Sequence, residues 1–564
     1  MLRIADYLVD KVSPSRLDPF GLGQLSWKYW RGLMRNPGNL LAQNMTLAAE
    51  QASLLTYAMK RALGTEAEAV VTPPKGDRRF TDPAWSEQLP FDLIKQSYLL
   101  TSRYMLSLAG AANLDRRQQR KLDFLTRQLV DALSPSNFVA SNPEVLRTTL
   151  ESKGANLVRG MQNLVRDLAA GKGRLRISMV DESKFEIGRN IATTPGKVVF
   201  ENELMQLIQY SPSTEKVYQT PLVIFPPWIN KFYILDLAPH NSFIRWAVSR
   251  GYTVFIVSWV NPDTKLAHKT FEDYLNQGIF EALDAIEAAT GEREVNAIGY
   301  CIGGTLLACA LSQMAQTGVR RIRSTTFFTT QVDFSEAGDL TVFTDEHQIK
   351  SLERTMRKRG YLDASEMATT FNMLRANDLI WTFVVNNYLL GRAPAAFDLL
   401  YWNNDSTRMP LAMHSYYLRE MYLDNRLAEP GGITLNGIPV DLGKVRIPIF
   451  LQSSKEDHIA PYPSVYKATR LYSGPVTFML AGSGHIAGVI NPPQANKYYY
   501  YTNQTLAADV EDWIESAEYH EGSWWPYWHQ WLYRRSGRKV PARTPGEGKL
   551  PAIEDAPGRY VTMK

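Results

Sequence analysis

The sequence predicts an α/β fold built on a mostly parallel sheet, preceded by a mainly helical region. Two observations predict this fold. From about residue 200 onward, short apolar runs alternate with helical stretches, and one of these runs leads into a Gly-x-Cys-x-Gly turn at residues 299–303. Strands that alternate with helices form parallel sheets, because each crossover helix returns the chain to the same end of the sheet.

Length and composition limit the classes of function. The 564 residues can form more than one domain, and 45% hydrophobic with 21% charged residues is typical of a folded globular protein. The net charge of +5 is small for this length and no nucleic-acid-binding motif occurs, so no nucleic-acid partner is expected. The eight histidines show no metal-ligand spacing and no glycine-rich phosphate loop occurs, so neither a metal nor a nucleotide cofactor is expected.

Cysteine usage and hydropathy predict a cytoplasmic protein. The two cysteines, Cys301 and Cys309, would lie roughly 12 Å apart on one helix. This distance is too long for a disulfide, and a chain without disulfides suits a reducing compartment. Residues 1–6 lead into no long apolar segment, and no run of 18 apolar residues occurs, so we expect neither a signal peptide nor a transmembrane helix.

Residues 1–195 are predicted to form a mainly helical N-terminal domain. Four leucines fall on one helical face, and residues 134–137 have the composition of a turn that ends this helix. No nucleophile is grouped with a base here, so a scaffold or interaction domain is the expected role. The four leucines are Leu122, Leu125, Leu129 and Leu133.

Residues 196–564 are predicted to form the α/β domain. Its alternation stops between residues 333 and 444, a stretch that is helical and rich in aromatic residues. An insertion of this length between sheet strands predicts a lid over an active site, with a decorative helical subdomain as the alternative. The predicted strands are residues 221–225, 252–257, 295–298, 324–332, 447–452 and 476–480.

Tryptophan is concentrated near the end of the sequence. Such a density of aromatic residues usually marks core or interface packing, and contact with substrate or product is the alternative. Five of the 13 tryptophans lie in this stretch, namely Trp513, Trp524, Trp525, Trp528 and Trp531.

The Gly-x-Cys-x-Gly turn has the layout of a nucleophile elbow, with cysteine in the place of serine. Gly299 and Gly303 flank Cys301, and a side chain at either glycine would collide with neighbouring backbone in so tight a turn. The helix that follows presents its positive end to Cys301, which favours the reactive thiolate. For this motif alone, a buried cysteine in a glycine-rich turn is the structural alternative.

Two later loops supply the partners that a cysteine nucleophile needs. In α/β hydrolases the nucleophile, the acid and the histidine follow in this order, each in a loop after a strand. Asp457 and His485 each follow a predicted strand in that order. We therefore predict an α/β-hydrolase fold with a Cys301–Asp457–His485 triad, in which His485 takes the proton from Cys301.

Each partner has an alternative in the sequence. Glu456 adjoins the predicted acid, and Asp333 follows a strand at a position where some hydrolases carry theirs. His458 could assist the chemistry or cap its loop. His485 is the preferred base, because two flexible glycines beside Ser483 are expected to let its loop bend over the elbow.

An oxyanion hole needs two backbone N–H groups. The first is predicted at Ile302, the residue after the nucleophile. The second is predicted in the loop after the strand at 221–225, where Trp228 is the choice and Ile229 is one residue away.

The sequence resembles the polyhydroxyalkanoate synthases over nearly its whole length. The resemblance rests on long and unusual stretches as well as on the cysteine motif. These stretches are residues 79–85, 134–138, 142–144, 226–237, 299–304, 401–405, 457–461, 482–485, 522–525 and 556–561.

This resemblance implies an acyltransferase that polymerises (R)-3-hydroxyacyl-CoA into a polyester and releases CoA. The CoA thioester is then the substrate, and no cofactor is expected. Cys301 matches the nucleophile that carries the acyl group or the growing chain, His485 matches the base, and Asp457 matches the acid that helps to activate the incoming 3-hydroxyl group. The family also implies a homodimer that works at the surface of polyester granules.

Within this family the chain resembles class I, the single-subunit synthases that favour short monomers such as 3-hydroxybutyryl-CoA. The resemblance lies in the N-terminal domain and in residues 301–304 and 522–525. Trp228 stands at a position that varies in related chains, and its bulk is a hypothetical cause of short-monomer preference. The alternatives are a cysteine-dependent hydrolase, similar to dienelactone hydrolases or thioesterases, and a catalytically dead granule protein.

Overall fold

The computed structural model describes residues 22–564 and contains one large sheet. The strands in chain order are β1 Gly196–Glu201, β2 Met205–Tyr210, β3 Lys216–Tyr218, β4 Leu222–Phe225, β5 Val254–Trp259, β6 Val295–Tyr300, β7 Ile322–Phe328, β8 Tyr361–Leu362, β9 Met409–Pro410, β10 Thr434–Leu435, β11 Ile438–Pro439, β12 Ile449–Ser454, β13 Val476–Ala481, β14 Tyr499–Thr502, β15 Glu518–Glu521, β16 Lys539–Pro541 and β17 Glu554–Asp555. Eleven of them form the sheet, in the order β15-β14-β13-β12-β7-β6-β4-β5-β2-β1-β17.

The centre of this sheet is parallel, as predicted. Strands β13, β12, β7, β6, β4 and β5 pair in parallel, and each predicted strand overlaps one of them. Every residue of β4, β5, β6 and β12 is buried, which is what a sheet covered by helices on both faces requires. The predicted α/β fold is confirmed, and the carboxyl ends of the parallel strands meet at one edge.

The antiparallel edges were not predicted. Strands β2, β1 and β17 extend the sheet beyond β5, and β14 and β15 extend it beyond β13. The outermost strands are short and polar, and most of their residues are exposed. They therefore lack the continuous apolar run that marks a central strand.

This sheet belongs to a compact unit that comprises Glu182–Ala368 and Phe397–Lys564. Trp524, Trp525 and Trp528 are fully buried in its core, as the tryptophan-rich stretch predicted. The α-helices of this unit are Phe243–Ser249, Phe271–Asp273, Glu281–Thr290, Ile302–Thr317, Glu346–Arg359, Asp398–Asn404, Leu411–Tyr417, Tyr462–Leu471, Val510–Glu515 and Trp525–Tyr533, and Ala364–Leu374 begins in it.

The other compact unit is mainly helical. It runs to Asp181 and includes a second segment, Thr369–Ala396, from within the predicted insertion. Its α-helices before Asp181 are Leu22–Arg35, Pro37–Ala62, Ala84–Glu87, Leu89–Gly110, Arg116–Ala132, Pro143–Glu151 and Ala155–Ala170. The signal-peptide prediction concerns residues 1–6, which lie outside the described residues.

The inserted segment is bonded closely to the last of these helices. The Tyr388 hydroxyl donates to the Asp167 carboxylate at 2.6 Å, and the Asn156 amide donates to the Leu389 carbonyl at 2.8 Å. A Cβ at Gly160 would lie only 1.8 Å from the Tyr388 carbonyl oxygen, so this position needs glycine.

This division differs from the predicted one in two places. The boundary lies between Asp181 and Glu182 instead of at residue 195, because residues 182–195 pack with the sheet-containing unit. Part of the insertion at 333–444 packs with the N-terminal helices, which the local sequence pattern could not indicate. The assignment of the insertion as a lid stays a prediction.

Candidate active site

Cys301 lies at the sharp turn between β6 and the helix Ile302–Thr317. Its φ of 51° and ψ of −125° place a non-glycine residue in a sparsely populated backbone region. The Cys301 N–H donates to the Phe328 carbonyl of β7, and its own carbonyl accepts from Gly304, so both sides of the turn are fixed. The helix is 16 residues long, and its positive end faces the thiol.

The glycines of the turn permit this geometry. A Cβ at Gly299 would lie 2.4 Å from the Gly304 Cα, and one at Gly304 would lie 2.1 Å from the Thr330 hydroxyl. A Cβ at Gly303 would lie 2.3 Å from the Phe225 carbonyl oxygen. The start of the helix therefore contacts the end of β4 so closely that side chains are excluded.

We expect Gly303→Ala to lower the free energy of unfolding by about 3 kcal/mol. The new methyl group would meet the backbone oxygens of Phe225 and Pro226, at 2.3 and 2.6 Å, and neither can yield without moving β4. Urea unfolding followed by circular dichroism measures the change. Gly110→Ala is the control, since Gly110 has an ordinary backbone and no heavy atom within 4 Å of a new Cβ; an equal loss in both variants would contradict the prediction.

Asp457 and His485 meet at the same edge of the sheet. The His485 Nδ1 lies 2.7 Å from the Asp457 Oδ2, and both side chains are buried. The other oxygen of Asp457 accepts from the backbone N–H groups of Ile459 and Ala460 at 2.8 and 2.9 Å. The carboxylate is thus held by three hydrogen bonds, and it fixes the imidazole with Nδ1 as the donor.

The Cys301 side chain acts on the same ring, and Nε2 is the ring nitrogen that Asp457 leaves free. Burial opposes protonation of the ring, but the charges of Asp457 and Cys301 outweigh it, and the pKa of His485 rises to about 10. At neutral pH this arrangement stabilises a protonated imidazole beside Cys301. A cysteine beside a histidine that a carboxylate orients is the general arrangement of an activated thiol nucleophile.

The loops that carry the acid and the histidine are bonded to each other. The Lys455 N–H donates to the Ala481 carbonyl at 2.8 Å, and the Glu456 N–H donates to the Ser483 carbonyl at 2.9 Å. Ser483 has a φ of 74° and therefore adopts the left-handed backbone conformation. The glycines on either side of it do not have a positive φ. The expectation that these glycines bend the loop was therefore wrong, and Ser483 makes the turn.

The structure separates the alternatives for the acid. Glu456 is exposed, whereas Asp457 is buried against His485. The Asp333 carboxylate accepts from Ser335 and from the Asn425 amide, so it is engaged by groups other than His485. His458 is partly buried in the loop directly after Asp457, and its auxiliary role stays a prediction.

Two predicted oxyanion donors lie near the elbow. Ile302 is the first helical residue, and Trp228 follows the segment that Gly303 touches. Within the part of the chain that the structure describes, neither backbone N–H is bonded to a protein acceptor, and the same holds for Ile229. All three are available to a developing negative charge, and the choice of Trp228 over Ile229 stays a prediction.

Sequence reasoning missed two tyrosines whose phenols are affected by the charge of Cys301. Tyr417 and Tyr422 are buried, and Phe334 packs against both rings, with centroids 6.1 and 4.8 Å away. Burial is the main cause that raises the pKa of both phenols, and the charge of Cys301 is a further cause. The aromatic content of the insertion predicted a lid over the active site. Which of its aromatic residues act there depends on tertiary packing, which the local sequence does not show.

Cys309 is unsuited to act as a second acyl carrier. It is fully buried in the elbow helix, and burial raises the pKa of its thiol to about 12. A protonated, enclosed thiol is not a nucleophile.

The described residues contain neither a membrane-spanning helix nor a cluster of metal ligands. None of the helices between residues 22 and 564 is long and apolar enough to cross a bilayer. Over the same residues, no three His, Cys, Asp or Glu side chains gather where a metal ion could bind.

Two family models match the chain. Residues 76–247 match the model described as the poly-beta-hydroxybutyrate polymerase (PhaC) N-terminus, and residues 221–492 match the alpha/beta hydrolase fold. The second match agrees with the predicted α/β-hydrolase fold, which is confirmed.

Full-length relatives match as well. The poly(3-hydroxyalkanoate) polymerase of Methylorubrum extorquens is 53% identical over 533 residues, which is 94% of this chain and 88% of that protein. The poly(3-hydroxyalkanoate) polymerase subunit PhaC of Rhizobium meliloti is 51% identical, over 95% of this chain and 87% of that protein. That of Cupriavidus necator is 44% identical, over 88% of this chain and 85% of that protein.

Proposed function

The chain belongs to the poly(3-hydroxyalkanoate) polymerases, and we propose that it polymerises (R)-3-hydroxyacyl-CoA through a thioester on Cys301. The short monomer 3-hydroxybutyryl-CoA is the proposed substrate. The CoA thioester is the reactant, and the proposed reaction requires no cofactor.

One structural observation supports the proposed mechanism. Asp457 is hydrogen-bonded to His485, the charge of Cys301 acts on the same ring, and the thiol lies at the positive end of a helix. This is the arrangement that lets a cysteine attack a carbonyl carbon at neutral pH. The free N–H of Ile302 supports an oxyanion site beside it.

In the first half-reaction the Cys301 Sγ attacks the thioester carbonyl while its proton resides on His485. The carbonyl oxygen becomes negative in the tetrahedral intermediate, where the N–H groups of Ile302 and Trp228 would stabilise it. When the intermediate collapses, the C–S bond to CoA breaks and the CoA sulfur leaves with the proton from His485. The acyl group is now a thioester on Cys301, which is close in energy to the thioester that was consumed.

In the second half-reaction a 3-hydroxyl group must attack this thioester. His485 takes the hydroxyl proton, assisted by Asp457, as the new ester C–O bond forms and the bond to the Cys301 sulfur breaks. Water would give a free acid instead. The aromatic cover of Phe334, Tyr417 and Tyr422 supports exclusion of water from this step.

We expect Trp228→Ala to shift the monomer preference toward longer acyl chains. The Trp228 ring is buried against Trp259 and Tyr274, and within residues 22–564 its indole N–H has no acceptor. Its removal would enlarge the space beside the predicted oxyanion site. The ratio of kcat/KM for 3-hydroxyhexanoyl-CoA to that for 3-hydroxybutyryl-CoA should rise at least about tenfold.

Trp259→Phe is the control for this prediction, because it loosens the same aromatic cluster and keeps Trp228. An unchanged ratio in Trp228→Ala, in protein that remains folded by circular dichroism, would contradict the steric hypothesis.

The partners follow from the same proposal. The growing polyester would remain bound to Cys301, and the enzyme would then work as a homodimer in the cytoplasm at the granule surface. These assignments are supported by membership in the family, and gradient fractionation of a polymer-producing cell would test the granule association.

The experiment that tests the function is an assay of purified protein with (R)-3-hydroxybutyryl-CoA. CoA release is followed together with turbidity, and the products are separated by size. Release with a rising turbidity and a high-mass polyester supports the polymerase. Release with only free 3-hydroxybutyrate would overturn it in favour of a thioesterase, and activity restricted to medium-chain substrates would overturn the proposed monomer.

A further inference from the structure

A groove of about 530 Å³ lies along the exposed side of the helix Trp525–Tyr533 and the residues that follow it. Five side chains line it, namely Tyr527, Gln530, Trp531, Arg534 and Arg535. The groove therefore combines two aromatic rings with two guanidinium groups.

The groove lies away from the candidate active site. Trp531 packs on Phe450, near the start of β12, and the Ser536 hydroxyl accepts a hydrogen bond from Asn296, near the start of β6. Cys301 follows the other end of β6. The groove thus belongs to the amino ends of the parallel strands, opposite the edge where the triad meets.

The two arginines are not neutralised. Among the residues that the structure describes, no carboxylate lies within ion-pair distance of Arg534 or Arg535, and the buried Nε of Arg535 has no acceptor. The Arg535 guanidinium lies over the Trp531 ring at 4.1 Å and donates to the Trp531 carbonyl at 2.5 Å, so it is held in place. Burial and then the charge of Arg534 lower the pKa of Arg535.

The charges around the groove indicate which kind of ligand it would bind. Two adjacent cations without a counter-charge favour a ligand with at least two negative charges, and the guanidinium fork matches phosphate oxygens. At the other end of the groove, burial and then the negative charge of Glu518 raise the pKa of Tyr527, and this charge disfavours an anionic group there. Flat aromatic side chains favour a planar ring at that end, and the volume exceeds that of inorganic phosphate.

We propose that this groove binds a phosphorylated nucleoside, with its phosphates on Arg534 and Arg535 and its base toward Tyr527. Two sources share this chemistry. One is the nucleotide part of CoA, which is a product of the proposed reaction, and in this respect alone the inference rests on the proposed function. The other is a free adenosine nucleotide such as ATP.

The test is equilibrium dialysis with labelled adenosine 3′,5′-bisphosphate on full-length Cys301→Ala protein. Since this variant need not turn over, failure of the binding site and failure of the proposed function are separate results. We expect Arg534→Gln and Arg535→Gln each to weaken binding at least tenfold. Arg538→Gln, at an exposed arginine outside the groove lining, is the matched control and should change binding less than twofold.

Competition identifies the source. Stronger displacement of the bisphosphate by CoA than by ATP assigns the groove to the reaction product, and the reverse order assigns it to free nucleotides; both support the nucleoside site. Equal binding by the Cys301→Ala protein with and without Arg534→Gln or Arg535→Gln would overturn the proposal, as would no binding at millimolar ligand. Displacement by inorganic phosphate as strong as by the nucleotides would also overturn it, because the base would then contribute nothing.

Discussion

A Cys301→Ala variant is expected to lose CoA release from (R)-3-hydroxybutyryl-CoA by at least about 1000-fold. The variant has no atom at the elbow that can form the thioester, whereas the oxyanion donors and the pocket remain. CoA release is measured with a thiol reagent on purified protein. Mass spectrometry of the wild-type protein after brief exposure to substrate should place the acyl group on the peptide that contains Cys301.

Cys309→Ala is the matched control for this experiment. Cys309 lies in the same helix, but its thiol is buried and protonated at neutral pH. Its removal should leave CoA release within about twofold and cost roughly 1 kcal/mol of stability from the lost packing. Loss of activity in Cys309→Ala together with residual activity in Cys301→Ala would contradict the assignment of the nucleophile.

An Asp457→Asn variant is expected to lower kcat by about 1000- to 10,000-fold. The amide can no longer stabilise a protonated His485, and it can present a donor that holds the imidazole in the wrong tautomer. Steady-state kinetics measure the loss. Glu456→Gln is the matched control, because it makes the same chemical change one residue away at an exposed position; its rate should stay within about twofold.

The pH profile gives a second readout of the same variant. In the wild type the pKa of His485 is raised to about 10, so the ring keeps its proton up to that pH and activity should fall only above it. Without the charge of Asp457, burial dominates and lowers the pKa of His485. The alkaline limb of the residual activity should therefore move to lower pH, and alkylation of Cys301 by iodoacetamide at pH 7 should slow. An alkaline limb at the same pH in both proteins would contradict the role of Asp457.

The catalytic residues could be proposed from the sequence because their signals are local. The elbow is a contiguous motif, and Asp457 and His485 each follow a strong apolar strand. Parallel strands bring their carboxyl ends to one edge, so the order along the chain predicts proximity without any knowledge of distances. The structure places Asp457 and His485 in hydrogen-bond contact, and the charge of Cys301 acts on the same imidazole.

Other features could not be predicted from local pattern. The charge of Cys301 acts on Tyr417 and Tyr422 of the insertion, and the spacing of these two residues resembles that of any aromatic helix. Ser483 adopts a left-handed backbone, although the bend of its loop was expected from the flexible glycines beside it. In both cases tertiary contacts decide the outcome, and no preference of the single residue reveals it.

The helical unit is discontinuous in the chain, because it consists of Thr369–Ala396 together with the residues up to Asp181. During synthesis, Asp167 and Asn156 would leave the ribosome roughly 11 to 47 s before their partners Tyr388 and Leu389, at typical elongation rates. Throughout this interval the unit lacks its closing segment while the strands β1 to β7 are already emerging. The order of translation thus prevents the N-terminal unit from completing its fold first, and a bacterial host that holds the nascent chain with a chaperone over this interval should raise the yield of active enzyme.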